Sequence, residues 1–271
     1  MSVVAFALLA MTTSAVGALG GIGGAVLLVP LAVALGVDPL EAAPLGLASV
    51  AAASLAAGPL QLRTGLVHHR LGVTLESVGS AATVAAALVS DRLPTGVLQL
   101  VLALAALTGA AASISRKSVR NLPRPEFALE VAGEWPGTLG GVYSGPGGPV
   151  PYQAKRVPLG MSLMTIGGAV AGLTGVGGGF LKSPVMSEVM HVPVKVAAAT
   201  TTFMTGITAA AGLAVFGRQG RGEVVDLGAV ILGALVGGRI GSVLQRRFSP
   251  LVTRRVLAVV LVVVAVLVLA R

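Results

Sequence analysis

The sequence predicts an all-α polytopic membrane protein with about eight apolar segments, arranged as two repeats of four. Composition is the first reason: 55% of the residues are hydrophobic, 11% are charged, and the mean hydropathy is +0.92. Such a chain cannot present a polar surface on all sides, so its solvent is a lipid bilayer. The second reason is a glycine-rich interruption that occurs twice at matching places.

The apolar segments divide the chain into a first membrane repeat at 1–115 and a second at 158–271. Residues 116–157 form an extramembrane loop, which we expect on the cytoplasmic side. Short runs on either side of Gly145–Gly148 favour a small hairpin within it. The segments cover roughly 3–36, 40–62, 72–90, 94–114, 158–190, 194–217, 224–245 and 250–270.

The first and fifth segments are too long for one straight crossing. As straight helices they would overshoot the hydrocarbon core by roughly 15 Å. A shift of 154 residues aligns Gly21 with Gly175 and Pro30 with Pro184, so both segments carry glycine and then proline. We expect two shorter helical pieces around a bend in each, which is tolerated at membrane depth only inside protein or beside a cavity.

Positive charge favours inverted repeats. If the two broken segments return to the side they started from, Arg63 and Arg70 share a side with the basic clusters near 116–124, 155–156 and 246–255. The positive-inside rule prefers this arrangement. It places both termini outside the cytoplasm, in a multi-pass protein of the cytoplasmic membrane. The N-terminal apolar segment lacks a basic n-region, and we expect it to be retained.

The two interruptions predict a substrate site for a small anion. Half-helices that end inside a bilayer present unpaired N–H groups and a positive dipole end. The glycines could instead allow close helix packing, which we prefer for Gly233, Gly237 and Gly241. The candidate ligands from the interruptions are Gly21, Gly23, Gly24, Ala25, Gly175, Gly177, Gly178 and Gly179.

Polar side chains add to this candidate site. Lys182 stands inside the fifth segment, where either a substrate anion or snorkelling to the interface would relieve its charge. Its counterpart in the first repeat is Leu28. Hydroxyls can donate to oxyanions without adding charge, although many bond back to helix carbonyls. The hydroxyl candidates are Ser49, Thr200, Thr201 and Thr202.

Other kinds of function find little support. The chain has no cysteine, and its three histidines lack the spacing of a metal site, so we expect no metal and no cofactor. We also expect these histidines to be solvated. No nucleophile and base combine, which argues against an enzyme. The formal charge of +9 sits in short clusters with few aromatics, which argues against nucleic acid.

The paired Gly-x-Gly-Gly motifs with a following proline, the Ala/Thr-rich segment after each, and the run Leu232–Gly241 resemble the TauE/SafE sulfite exporter family. The resemblance covers nearly the whole chain outside 115–157. It implies transport of small sulfur-containing anions such as sulfite, thiosulfate, sulfoacetate or other organosulfonates. Ala25 and Leu28 stand where the second repeat has Gly179 and Lys182, so substrate contacts are expected mainly from the second repeat.

We expect an exporter or facilitator that works by alternating access, with a small-molecule anion and the lipid bilayer as partners. The carboxylates lie near segment ends, except that Glu76 could lie deeper, so the sequence favours export without a coupling ion. A transporter or channel for another small inorganic or carboxylate anion would give the same sequence cues. The oligomeric state is left open.

Overall fold

The computed structural model describes residues 1–20, 24–63, 65–115, 133–145, 148–245 and 250–270. Helices dominate these ranges, so the predicted all-α polytopic fold is confirmed. The helices are α1 (Val3–Gly20), α2 (Ala25–Ala34), α3 (Pro39–Arg63), α4 (His69–Val89), α5 (Thr95–Ser115), α6 (Val157–Thr174), α7 (Gly179–Pro184), α8 (Val194–Arg218), α9 (Val224–Gln245) and α10 (Pro250–Leu269).

Length and hydropathy make the chain a multi-pass membrane protein. Helices α3, α4, α5, α6, α8 and α9 are each long and apolar enough to cross a bilayer, while α1 and α2 are shorter apolar helices. Large apolar side chains face outward along these helices: Leu55 is 75% exposed and Leu232 is 66% exposed. An apolar exterior of this kind suits lipid.

Each broken segment is a hairpin that enters the bilayer and returns. A Cβ built at Gly24 would lie 2.5 Å from the Ser14 Cα, although a straight helix would separate these residues by about 15 Å. In the second segment a Cβ at Gly178 would lie 3.0 Å from the Gly167 carbonyl. The Lys155 N–H donates to the Met190 carbonyl at 2.9 Å, so this hairpin begins and ends at the same face.

Backbone conformation explains why glycine makes the second turn. Gly175, Gly177 and Gly178 have φ of 75°, 78° and 69°, in the left-handed region that costs other residues free energy. Gly175 also lies against the Ala43 carbonyl of α3, where a side chain would clash. Gly175, Gly177 and Gly178 therefore form the tip of this hairpin, the second-hairpin tip.

The helix directions show that the two halves are inverted. Helices α4 and α8 run in the same direction, because Gly72 lies beside Thr200 and Glu76 beside Thr208. Helix α6 runs with α4, since Gly168 contacts Gly79. The short turn after α8 reverses the chain, so α9 runs the opposite way.

Helix α1 runs with α9 and therefore against α6. Gly233, Gly237 and Gly241 of α9 pack on the carbonyls of Ala7, Met11 and Ala15 in α1, in the same order along both helices. These glycines pack helices together, so the packing interpretation is confirmed for them. The ends of α3, α5 and α9 share one side with the starts of α4, α6, α8 and α10, whereas both termini lie on the other side.

A small sheet covers the start of α4. Strands β1 (Gly133–Glu134), β2 (Gly140–Gly145) and β3 (Gly148–Gln153) pair antiparallel in the order β1-β2-β3. Tyr143 lies opposite Val150 where the sequence indicated a hairpin, and β1 adds a strand that the sequence did not indicate. Tyr152 packs with Leu71 and Met190, which docks the sheet on α4 and on the return of the second hairpin.

Glu134 holds the sheet to the first turn of α4. Its carboxylate accepts hydrogen bonds from the backbone N–H of His69 at 2.5 Å and of Arg70 at 3.3 Å, and it lies 2.8 Å from the His69 Nδ1. Burial alone would raise the pKa of Glu134, but these hydrogen bonds together hold it below its usual range. A carboxylate at a helix N-terminus also complements the helix dipole.

The expectation that the histidines are solvated is wrong for His68. Its side chain is fully buried, its Nδ1 accepts from the Leu71 N–H at 3.2 Å, and its Nε2 lies 3.1 Å from the Gly140 carbonyl. Burial lowers the pKa of His68, although Glu134 opposes the shift. His68 therefore caps α4 and anchors β2, which the sequence could not show because β2 lies 72 residues away.

Two neighbouring glycines of α9 test the helix packing. In Gly237→Ala the new methyl meets the Met11 carbonyl of α1, whereas a Cβ at Gly238 meets nothing within 4 Å. We expect Gly237→Ala to destabilise the purified protein by roughly 1–3 kcal/mol, as overpacking does. Gly238→Ala is the matched control and should leave thermal unfolding in detergent unchanged or raise its midpoint. Equal midpoints for both variants would contradict the close α1–α9 contact.

Candidate functional site

Lys182 lies deep inside the protein, one turn beyond the second-hairpin tip. It belongs to α7 and its side chain is 0% exposed. A Cβ built at Gly178 would lie 3.5 Å from the Lys182 Cε, so the lysine stem runs beside the tip. Pro184 and the π-helical segment Val185–Val189 follow. Such distortions of a helix are common at functional sites.

Glu76 of α4 is the ionic partner of Lys182. Its side chain is 2% exposed, and its Oε2 lies 2.6 Å from the Lys182 Nζ. An ammonium at the centre of a bilayer costs about 2.5–3.5 kcal/mol on insertion scales. A carboxylate within hydrogen-bond distance offsets much of that cost.

Two hydroxyls complete this cluster. Thr208 of α8 accepts from the Lys182 ammonium and donates to the Glu76 Oε1 at 2.5 Å. Ser80, one turn beyond Glu76 on α4, donates to the same oxygen at 2.6 Å. We call Glu76, Ser80, Lys182 and Thr208 the ion-pair cluster. It joins α4, α7 and α8.

The ammonium of the ion-pair cluster has one N–H donor that no described residue accepts. A lysine has three N–H donors, and the described residues accept two of them, one at Glu76 and one at Thr208. The two formal charges cancel, so the cluster is neutral as it stands. An arriving anion would find a free donor on Lys182 and also the negative charge of Glu76.

Two ways to offset the buried charge of Lys182 were predicted, a substrate anion or snorkelling to the interface, and neither describes this geometry. The ammonium does not snorkel to an interface, because it is fully buried, and a carboxylate of the protein already pairs with it. An anion at Lys182 would therefore share the ammonium with Glu76 or displace it. Binding of a substrate by Lys182 stays a prediction.

The positions that the repeat makes equivalent to the ion pair are apolar. The same shift of 154 residues takes Lys182 of α7 to Leu28 of α2 and Glu76 of α4 to Val230 of α9. Leu28 and Val230 are both about 1% exposed or less and belong to one buried apolar group with Phe6 and Leu45. One of the two repeat-related places thus keeps a charged pair where the other keeps hydrocarbon.

The predicted ligands of the first hairpin are partly described. Gly21 and Gly23 lie outside the described residues. Gly24 precedes α2 in a right-handed conformation and lies against Ser14, and Ala25 begins α2 and is buried. Ser49 is also buried there, with its Oγ 3.4 Å from the Ser14 Oγ. This hairpin therefore has hydroxyls near its turn but no described ionic group.

The second-hairpin tip packs on α3. A Cβ at Gly177 would lie 2.6 Å from a methyl of Val50, and one built at Gly46 of α3 would lie 2.5 Å from the Gly175 carbonyl. Gly179 follows as the first residue of α7. Glycine is needed on both sides of this contact, because neither backbone leaves space for a side chain.

The three consecutive threonines face different surroundings. Thr200 Oγ1 accepts from the His68 N–H at 3.0 Å, and Thr202 Oγ1 donates to the Ala198 carbonyl at 3.1 Å. The Thr201 hydroxyl is buried and has no hydrogen-bond partner among the described residues. The hydroxyl that joins Lys182 is Thr208, further along α8.

Sequence reasoning missed the pairing of Lys182 with Glu76. Glu76 stood out as the one carboxylate that could lie deep, with Ser80 one turn later. Its partner is 106 residues away, and no local pattern links them. The expectation of an uncoupled exporter rested on carboxylates near segment ends, and the depth of Glu76 removes that support.

Metal chemistry has no visible support in the described part of the chain. No group of three or more histidine, aspartate or glutamate side chains there could hold a metal ion. The ion-pair cluster has one carboxylate and one ammonium, and the ammonium would repel a cation. Its chemistry suits an anion or a proton.

Comparison with known proteins gives two findings. The profile of the family described as "Sulfite exporter TauE/SafE" matches residues 6–268. The "Probable membrane transporter protein YunE" of Bacillus subtilis (strain 168) is 28% identical over 113 residues, which is 42% of this chain and 40% of that protein. The alignment thus spans less than half of either protein. No solved structure gives a significant match.

The apolar counterpart of the ion pair, Leu28 with Val230, suggests a test of the pair. Lys182→Leu or Glu76→Val alone leaves one buried charge without its partner, so each should destabilise the protein by about 3 kcal/mol or more. Together they reproduce the Leu28 and Val230 arrangement and should regain most of that loss.

Thermal unfolding of the purified variants in detergent measures this effect. Additive losses in the double variant would contradict the pairing. Transport should be lost in Lys182→Leu and in the double variant, because the ammonium is absent even where stability returns.

Proposed function

The chain belongs to the TauE/SafE sulfite exporter family, and from this membership and the site geometry we propose that it transports small sulfur-containing anions across the membrane. The proposed substrates are sulfite, thiosulfate, sulfoacetate and other organosulfonates. We place export or facilitated diffusion ahead of uptake, because the family description names an exporter. Family membership makes the chain a membrane transporter, and we propose the substrate and the direction of transport.

The buried Lys182 beside the second-hairpin tip carries the proposal. It is a buried cation with an N–H that no described residue accepts, beside the three left-handed glycines of the second-hairpin tip. An oxyanion needs several donors that converge without bulk, and we propose that the Lys182 ammonium and backbone N–H groups of the tip supply them. The hydroxyl of Thr208 adds a polar atom on the α8 side.

The remaining proposed ligands come from the first hairpin, α3 and α8. Gly21, Gly23, Gly24 and Ala25 would face the anion from the opposite hairpin, and Ser49 adds a hydroxyl near that turn. Thr201 is the member of the threonine run with an uncommitted hydroxyl in the described structure. Inverted hairpins that meet near the midplane suit alternating access around one site.

The proposed orientation in the membrane follows from the basic residues. Arg63, Arg70, Lys155, Arg156 and Lys195 share one side, which the positive-inside rule assigns to the cytoplasm. The sheet would then lie on the cytoplasmic side of the cell membrane, and both termini would lie outside. Arg92, Arg218 and Arg221 are exceptions at the outer side, where the Arg221 guanidinium donates to the Ser90 hydroxyl at 2.9 Å and lies over the Phe216 ring.

A flux panel tests the substrate class. Purified protein in proteoliposomes is given sulfite, thiosulfate, sulfoacetate, ethanesulfonate, sulfate, chloride and acetate, each against protein-free vesicles. We expect sulfite, thiosulfate, sulfoacetate and ethanesulfonate to move faster than sulfate, chloride and acetate. The reason is that the site combines a single cation with neutral donors and is not built for one halide. Fastest flux of chloride or acetate would contradict the sulfur-anion assignment and favour a transporter for another small anion.

Two cation variants test the assignment of Lys182. Lys182→Ala should weaken equilibrium binding of radiolabelled ethanesulfonate by about tenfold or more, the scale of one charged hydrogen bond. Arg239→Ala removes a charge from the exposed face of α9 and serves as the control, with binding close to wild type. Equal binding by both variants would count against the lysine.

A further inference from the structure

The ion-pair cluster is neutral, and this constrains what an anion can do there. Lys182 and Glu76 are 2.6 Å apart and both are almost fully buried. A monovalent anion that reached the free N–H of Lys182 would add a net negative charge in a poorly solvated place. It would also lie beside the Glu76 carboxylate, and like charges at that distance repel strongly where water is excluded.

A proton on Glu76 removes both obstacles. The carboxylate becomes a neutral acid, the repulsion disappears, and the ammonium is released to pair with the anion. The cluster then holds one ammonium and one anion, so its net charge is again zero. Proton and anion thus favour each other's binding, and this coupling is reciprocal.

No other described charge lies where it could replace Glu76. Lys182 is the one ionisable side chain that faces it, and Thr208 and Ser80 contribute neutral hydroxyls. Helix α6, which packs on α4, has no ionisable residue, and those of α8 are Lys195 and Arg218 at its ends. On α4 itself the other ionisable groups are His69 and Arg70, in the first turn.

We propose that Glu76 is the coupling site for a proton that travels with each anion. The proton comes from the solvent on the side to which the site is open and forms an O–H bond at Glu76 as the Lys182 ion pair breaks. After the site opens to the other side, the anion and the proton leave together and the ion pair forms again. The equivalent position in α9 is Val230, which cannot take a proton, so one proton moves per cycle. This inference rests on the proposed function.

The consequence for transport is proton–anion symport. For a monovalent anion the transported pair is neutral, so net flow follows the anion and proton gradients and not the membrane potential. An anion that accumulates inside would leave together with an acid equivalent. This replaces the uncoupled export that the sequence alone favoured.

Ethanesulfonate tests the coupling, because a sulfonate stays ionised at every assay pH and cannot itself carry the proton. Vesicles with a neutral lumen are placed in a medium one pH unit more acid, with equal external and internal ethanesulfonate. We expect wild-type protein to concentrate the anion about tenfold, as equimolar symport requires. A dye in the lumen should report acidification with one proton for each anion.

Glu76→Gln should separate exchange from coupling. Glutamine resembles the protonated acid, so labelled ethanesulfonate should still exchange between equal pools, while the pH gradient no longer drives accumulation and no proton enters. Glu223→Gln removes an exposed carboxylate at the start of α9 and should behave as wild type. If Glu76→Gln does not fold, the proton count of the wild-type protein decides alone.

The outcomes distinguish a failure of proton coupling from a failure of the transport function. Wild-type flux of ethanesulfonate without proton movement would overturn coupling and leave the proposed transport function intact. Coupled flux that persists in Glu76→Gln would move the proton site elsewhere. No flux of any anion in the panel would overturn the transport function and the coupling together.

Discussion

The rest of this structure depends on two opposite charges, those of Lys182 and Glu76, which lie 2.6 Å apart inside the bilayer. An unpaired charge at either Lys182 or Glu76 would cost much free energy at that depth, so α7 and α4 must hold both side chains in place. The hairpin brings the lysine to this position, and the parallel packing of α4 with α6 and α8 brings the glutamate. The two hydroxyls then satisfy oxygen and nitrogen atoms that would otherwise have no partner.

The two halves share a backbone plan and differ in chemistry. Both have a re-entrant hairpin, a long helix after it and two further crossings, and their helices run in opposite directions. The second hairpin keeps glycine in the left-handed region at its tip and a paired charge just beyond it, while the equivalent place in the molecule has Leu28 of the first hairpin against Val230 of α9. A symmetrical scaffold therefore holds a one-sided site.

Much of the fold could be predicted because it follows from local patterns. The length of the apolar segments predicted the membrane crossings, and the repeated glycine and proline predicted the two hairpins. The distribution of positive charges predicted the inversion of the two halves. Gly145–Gly148 marked the turn of the small sheet. The site was harder, since contacts between Glu76, Lys182 and Thr208 depend on which helices become neighbours, and periodicity within one helix does not specify this. For the same reason the buried position of His68 beside β2 could not be predicted from the sequence.

The glycine contacts between α1 and α9 bear on how the molecule can move. At Gly233, Gly237 and Gly241 the backbone of one helix rests directly on the backbone of the other, and α4 and α6 meet in the same way at Gly79 and Gly168. There is no layer of side chains between them that could repack as the helices slide. Each hairpin is thus fastened to a helix from the opposite half. The helix pairs that must move together, α1 with α9 and α4 with α6, therefore each combine helices from both halves. Neither pair corresponds to a continuous stretch of the chain.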